Sequence, residues 1–129
     1  MRRFKIIFSV LVISIVAWAN SLGAQESQFL AKLKDLQNSG EKLYGIKKLP
    51  VDPSAGFKEK YLFFVEQLID HSDPSVGTYK QRVIVGIRDI NAPNVIVTEG
   101  YGAAYALNPK YREEVSRLLD ANEIFVEHR

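Results

Sequence analysis

Val95-Ile96-Val97-Thr98, then Glu99-Gly100-Tyr101-Gly102-Ala103, then Asn108-Pro109 and, last, Ile124-Phe125-Val126: these segments decide the fold. The first is a short continuous apolar run, the pattern of a strand buried on both faces. The second is a Gly- and Ala-rich loop reaching to residue 107. Asn108 is a good helix N-cap, with Pro109 at the first helical position. Tyr111, Val115, Leu118 and Leu119 follow at helical spacing, and Glu113 and Glu114 sit early, where the helix dipole favours anions. Ala121-Asn122 closes the helix, and residues 124–126 read as a second buried strand. Strand, loop, helix, strand is a βαβ unit, and its two strands are expected to be parallel.

Upstream, residues 61–69 and 79–87 read as two strands. Tyr61, Phe63, Val65 and Ile69 alternate against Leu62, Phe64 and Leu68, and Tyr79, Gln81, Val83, Val85 and Ile87 alternate likewise. Asp73-Pro74-Ser75-Val76-Gly77 between them is turn chemistry, so the pair predicts an antiparallel hairpin. Residues 28–36 predict a short amphipathic helix with Phe29, Leu33 and Leu36 on one face, ended by Asn38-Ser39-Gly40. Residues 45–56, with Pro50 and Pro53, read as an irregular connection. The fold class expected is α/β: a hairpin followed by a parallel β-α-β unit in one mixed sheet. The chain stops just beyond a strand, where folds of this kind place a functional loop, so it is expected to be truncated.

Residues 1–24 predict an export signal. Arg2, Arg3 and Lys5 form a basic leader, residues 6–16 are apolar except Ser9 and Ser14, and small residues follow. Cleavage is expected after Ala19 or, preferably, after Ala24. Of 17 Lys and Arg, those three lie in the leader, leaving 14 against 15 Asp and Glu. So balanced a remainder gives no electrostatic case for nucleic acid. The absence of Cys excludes disulfides, thiolate metal sites and a Cys nucleophile, and for an exported chain it fits the periplasm or the medium. The three regions expected are the signal (1–24), a helix with an irregular connection (25–60) and the α/β part (61–129).

The chemistry available is narrow. No G-x-S-x-G occurs, and the two histidines, His71 and His128, have no second His or Cys near them, so no metal or other cofactor is expected. His71 reads as a turn residue. The informative loop is Glu99-Gly100-Tyr101-Gly102-Ala103: glycines after a buried strand let backbone N–H groups approach a ligand, although a plain glycine turn has the same composition. Gly100-x-Gly102 with Glu127 at the end of the next strand also resembles a partial dinucleotide fingerprint, but Tyr105 replaces the third glycine and Asn108 starts the helix too late. Glu99 and Glu127 both fall at carboxyl ends of the predicted parallel strands, where open α/β sheets bind ligands. A carboxylate there suits a substrate ammonium group; the structural alternative is an acid bonded to Arg129 or to a helix cap.

Asp70-His71-Ser72-Asp73-Pro74, Gly77-Thr78-Tyr79-Lys80-Gln81-Arg82, Thr98-Glu99-Gly100-Tyr101 and the run from Leu118-Leu119-Asp120 to Glu127-His128-Arg129 resemble the secreted tripeptidyl-aminopeptidase family of serine peptidases, and the last is similar to the related prolyl carboxypeptidases. The resemblance covers about residues 63–129. It implies the front of an α/β-hydrolase fold with a Ser-Asp-His triad, releasing short peptides from free amino termini. In that fold the triad comes later than the segment present here, so no catalytic residue maps onto this chain, His128 included. Gly100, Tyr101 and Gly102 map to the oxyanion loop, and Glu99 or Glu127 to an amino-terminus anchor. The expectation is an exported, inactive fragment whose parent takes peptides and whose export machinery reads the leader. The alternative is a secreted non-catalytic binding module.

Overall fold

The antiparallel hairpin forms as its alternation requires. In the computed structural model, which describes residues 27–128, strands β2 (Glu59–Leu68) and β3 (Thr78–Ile87) pair without interruption from Glu59↔Ile87 to Leu68↔Thr78. Their connection is tied by Asp73, whose carboxylate accepts from Ser75 N at 3.0 Å. The expected export signal lies outside the described residues. The chain divides at residues 31/32 into two compact units, and the sheet belongs to the second. Helix α1 (Gln28–Asn38) starts with Leu30 N donating to Ser27 Oγ, and Leu33 is its buried residue.

Two strands follow, β4 (Asn94–Glu99) and β5 (Asn122–Glu127), and they pair in parallel from Asn94↔Asn122 to Glu99↔Glu127, as the βαβ reading requires. A fifth strand was not expected. Residues 43–49 form β1 (Leu43–Leu49), antiparallel to β2, where an irregular connection was read from residue 45 onward. Gly45, at φ 61, sits in a bulge between Tyr44 and Lys47 where the register shifts. That bulge breaks the two-residue alternation, and Lys47-Lys48 is edge-strand chemistry instead of a core pattern.

The strand order is β1-β2-β3-β5-β4, with β5 antiparallel to β3 and parallel to β4. This makes β4 the edge, which corrects the expectation of a strand buried on both faces. Val95 and Val97 are half-buried, but Ile96 is 65% exposed.

The registers line residues up in rows on one face. Leu62 pairs with Ile84, Ile84 with Phe125, and Phe125 with Val97, a continuous apolar row across four strands. Ala103, Ala106, Leu107 and Tyr111 from the crossover pack on that row. Two residues towards one end, Lys60, Gly86 and Glu123 form a second row. Lys60 and Glu123 have no solvent exposure. Lys60 Nζ donates to the carbonyls of Asn108 (3.2 Å) and Tyr111 (3.4 Å), while Glu123 Oε2 accepts from Glu113 N (2.9 Å) and Ser116 Oγ (2.6 Å). Burial pushes the Lys60 ammonium below the usual lysine range, and the Glu123 charge opposes the shift.

These contacts explain why the long helix does not form. Residues 104–107 are a 3-10 turn, Asn108 is its extended C-cap, and helix α2 is only Glu114–Leu118, capped by Glu113. Asn108 does cap, but locally, accepting from Lys110 N at 2.9 Å. Its carbonyl is held by Lys60, and the Pro109 carbonyl accepts from Asp52 N at 3.1 Å. The segment is therefore pinned against the face of the sheet. Val115, Leu118 and Leu119, read as following at helical spacing, are exposed.

Gly86 is required by packing. A Cβ there would meet the Phe57 ring at 2.9 Å, and that buried ring also lies 5.0 Å from the Arg112 guanidinium carbon. Gly86→Ala is expected to destabilise the chain by about 1–3 kcal/mol in urea unfolding. Gly100→Ala, whose Cβ meets nothing within 4 Å, is the control and stays within about 0.5 kcal/mol of the parent. Equal midpoints for the two variants would remove the packing argument.

Candidate active-site loop

The parallel pair ends at one place. Glu99 and Glu127 are the last registered residues of β4 and β5, and His128 N donates to Glu99 O at 2.7 Å, stapling the two ends. Gln81 Nε2 donates to Glu127 O at 3.0 Å and joins β3 to the same point. A cleft of about 200 Å³ opens here, lined by Gln81, Thr98, Glu99, Gly100, Glu127 and His128 among others. The carboxyl ends of parallel strands are the usual ligand-binding edge of an open α/β sheet.

The two acids are brought together, but their surroundings differ. Strand alternation puts Arg82 on the same face as Ile84, one step beyond the last registered pair Val83↔Val126, hence beside Glu127. Arg82 Nη1 lies 3.0 Å from Glu127 Oε1, and the same oxygen accepts from Ala103 N at 2.7 Å. Glu127 is thus a paired, loop-binding acid whose partner is Arg82. Arg129, the partner weighed from the sequence, lies outside the described residues. Glu99 accepts a hydrogen bond from the Tyr105 hydroxyl, and no basic side chain among the described residues forms an ion pair with it.

Between these acids the loop turns outward. Tyr101 is fully exposed and Gly100 has open space about it. Gly102 sits at φ 148, a conformation that side-chain-bearing residues rarely adopt. The N–H groups of Gly100, Tyr101 and Gly102 have no hydrogen-bond partner among the described residues, whereas that of Ala103 is taken. The dinucleotide reading fails on geometry: residues 104–107 form a 3-10 turn, and the helix starts only at Glu114, so Gly102 is not at a helix N-terminus. His71 lies exposed at the hairpin end, among Asp70 and Asp73, which cap their own turns.

Arg82, Gln81 and Tyr105 were not expected as neighbours of the loop. No local signal gives Gln81 and Arg82 this role, because their placement follows from β3 pairing with β5, which has no sequence pattern of its own. Tyr105 meets Tyr111 and Phe125 edge-on, with the Tyr105 and Tyr111 centroids 4.8 Å apart, and Tyr111 and Phe125 are tilted to one another.

The architecture is that of an α/β domain: a mixed five-stranded sheet with a glycine loop and two acids at the ends of its parallel strands. Comparison with known proteins is more specific. A family model described as PS-10 peptidase S37 matches residues 31–129. The chain is also 30% identical over 111 residues to the prolyl tri/tetrapeptidyl aminopeptidase of Streptomyces mobaraensis, an alignment covering 86% of this chain and 22% of that protein. No solved structure matches significantly. This chain belongs to the S37 peptidase family, and it spans about a fifth of the length of the curated relative it matches.

The aromatic cluster gives a titration test. Burial, then the hydrogen bond to Glu113, pushes Tyr111 up to about 12. Burial and the bond to Glu99 raise Tyr105 as well. The folded chain therefore keeps protons that the unfolded chain releases near the ordinary tyrosine value of 10.0, so this contribution to stability is whole below pH 10 and falls as pH climbs towards 12. Tyrosinate absorbance is expected to show two of the six tyrosines ionising late, and Tyr111→Phe to remove one late step. A single titration with no late step would contradict the hydrogen bonds of these two hydroxyls to Glu99 and Glu113.

Proposed function

We propose that this chain is the amino-terminal part of an exported serine peptidase of the α/β-hydrolase type, which releases short peptides from free amino termini. In this reading the loop at residues 100–102 supplies a backbone N–H to the oxyanion hole, and Glu99 receives the substrate's ammonium group. What carries it is the loop itself: three consecutive N–H groups without partners among the described residues, at the carboxyl end of a parallel strand pair, beside an acid with no cation partner there. An oxyanion donor of this kind contributes about 3 kcal/mol to the transition state in comparable sites. The curated relative's name, a prolyl tri/tetrapeptidyl aminopeptidase, supports peptide substrates and the free amino terminus.

The nucleophilic Ser, the acid and the His base belong, in this proposal, to a part of the enzyme beyond these residues, since no G-x-S-x-G occurs in the chain. A nucleophile is needed to attack the scissile carbonyl and a base to take its proton; a hole without them stabilises no intermediate. The chain by itself is therefore inactive. The outer edge of β4 favours this over a free-standing secreted binding module. It is an unpaired strand edge among the described residues, and Ile96 and, nearby on α2, Leu118 at 77% are strongly exposed. A finished small domain covers or charges such an edge.

Two assays test the proposal. The purified 129-residue chain is expected to give no turnover of a tripeptide reporter, and measurable turnover would refute the inactive-fragment reading. A tripeptide amide with a free amino terminus is expected to perturb the amide signals of residues 99–102, its N-acetylated counterpart is not, and Glu99→Gln weakens the response about 10-fold. Equal responses to the free and acetylated peptides would remove Glu99 from the anchor role.

A further inference from the structure

We infer that Arg82 and Glu127 act as a positioning clamp, which holds the inner end of the glycine loop and reserves the Ala103 N–H, so that only Gly100, Tyr101 and Gly102 present donors outward. The inference rests on the oxyanion-loop reading for its consequence, but its geometry stands apart from that reading.

A single oxygen, Glu127 Oε1, accepts from both Arg82 Nη1 at 3.0 Å and Ala103 N at 2.7 Å. Hydrogen bonds in which the acceptor is ionised are roughly twice as strong as neutral ones, and both bonds are of that kind. The Glu127 side chain is 17% exposed, so its charge is only partly hydrated and needs a cation beside it, which Arg82 supplies. Ala103 itself is wholly buried on the Ile84–Phe125 row. The clamp therefore fixes the residue at which the loop joins the core.

The outer end is held in a matching way. Glu99, where the loop leaves β4, is bonded by the hydroxyl of Tyr105, which lies beyond Ala103 in the chain. Each strand-end acid thus binds a group on the far side of the loop, and residues 100–102 are bracketed between the two bonds. Ala103 N is bonded inward, Gly102 just before it sits at φ 148, and the N–H groups of residues 100–102 are those left unpartnered among the described residues. Glu127 on this account touches the loop and not the substrate. Arg82, a residue of β3 distant in sequence from the loop, sets its shape through Glu127.

Amide hydrogen exchange on the ¹⁵N-labelled 129-residue chain tests this without any peptidase activity. The Ala103 amide is expected to exchange about 10- to 100-fold more slowly than those of Gly100, Tyr101 and Gly102 after correction for intrinsic rates. Glu127→Ala is expected to bring Ala103 to the rate of its neighbours. Glu127→Gln keeps an acceptor oxygen and retains most of the protection, and Arg82→Gln gives an intermediate value. An Ala103 amide that exchanges as fast as Tyr101 in the native chain overturns the clamp, even where Glu127→Ala fails to fold. So does protection that survives Glu127→Ala in a folded chain. Failure of the free-amine binding assay would leave these exchange rates untouched, so the two ideas fall separately.

Discussion

The structure depends on one placement: β5 lies between β3 and β4, antiparallel to one and parallel to the other. Once that register is set, side chains two residues apart fall into rows that cross the whole sheet. The middle row is apolar and runs Leu62, Ile84, Phe125, Val97. The rows on either side of it carry the charges: Lys60 and Glu123 at one end, Arg82, Glu127 and Glu99 at the other. A slip of one residue would turn all of these to the opposite face, so the ion pairs and the core are specified by the same constraint.

The polar end rows have different work. At the Lys60–Glu123 end both charges are fully buried, and burying charges costs several kcal/mol unless hydrogen bonds compensate. Compensation is partial: Glu123 Oε2 has two donors, while Glu123 Oε1 and Arg112 Nε have no partner among the described residues. What this row achieves is positional. Lys60 seizes the carbonyls of Asn108 and Tyr111, Glu123 seizes the Glu113 N–H, and the crossover is drawn down over the apolar row. At the other end the charges keep some contact with water and Glu127 reaches the loop, so geometry is set there with less desolvation.

This distinction explains what the sequence does and does not disclose. The β2–β3 hairpin and the parallel β4–β5 pair were legible, because period-two alternation and a Gly-Pro-rich turn are local signals. So was the location of the loop, since a glycine pair after a strand is also local. β1 was missed because the bulge at Gly45 shifts its alternation midway. The helix was overextended because Asn108-Pro109 and the spacing from Tyr111 to Leu119 satisfy every local rule for one, while the override comes from Lys60, 48 residues earlier. β4 was read as internal because three consecutive apolar residues suit a two-sided burial, and only the strand order shows that it is an edge. Arg82 stood only in the family-like run from Gly77, with no role attached: its place beside the loop exists only after β3 and β5 are paired.

The same logic bears on how the loop keeps a shape suited to binding an anion-like oxygen. Backbone donors are useful in that role only when they are unpaired before the ligand arrives and cannot turn inward to pair among themselves. A glycine loop left to itself has the freedom to do so, because glycine accepts nearly any backbone angle. Here that freedom is removed from outside the loop. Ala103 is bonded to Glu127, Tyr105 to Glu99, and the strand ends themselves are joined through His128 N and Glu99 O. The three glycine-loop donors that remain are held open by bonds they do not make, and the residues responsible lie on β3, β4, β5 and the crossover, which makes the open loop a property of the whole sheet.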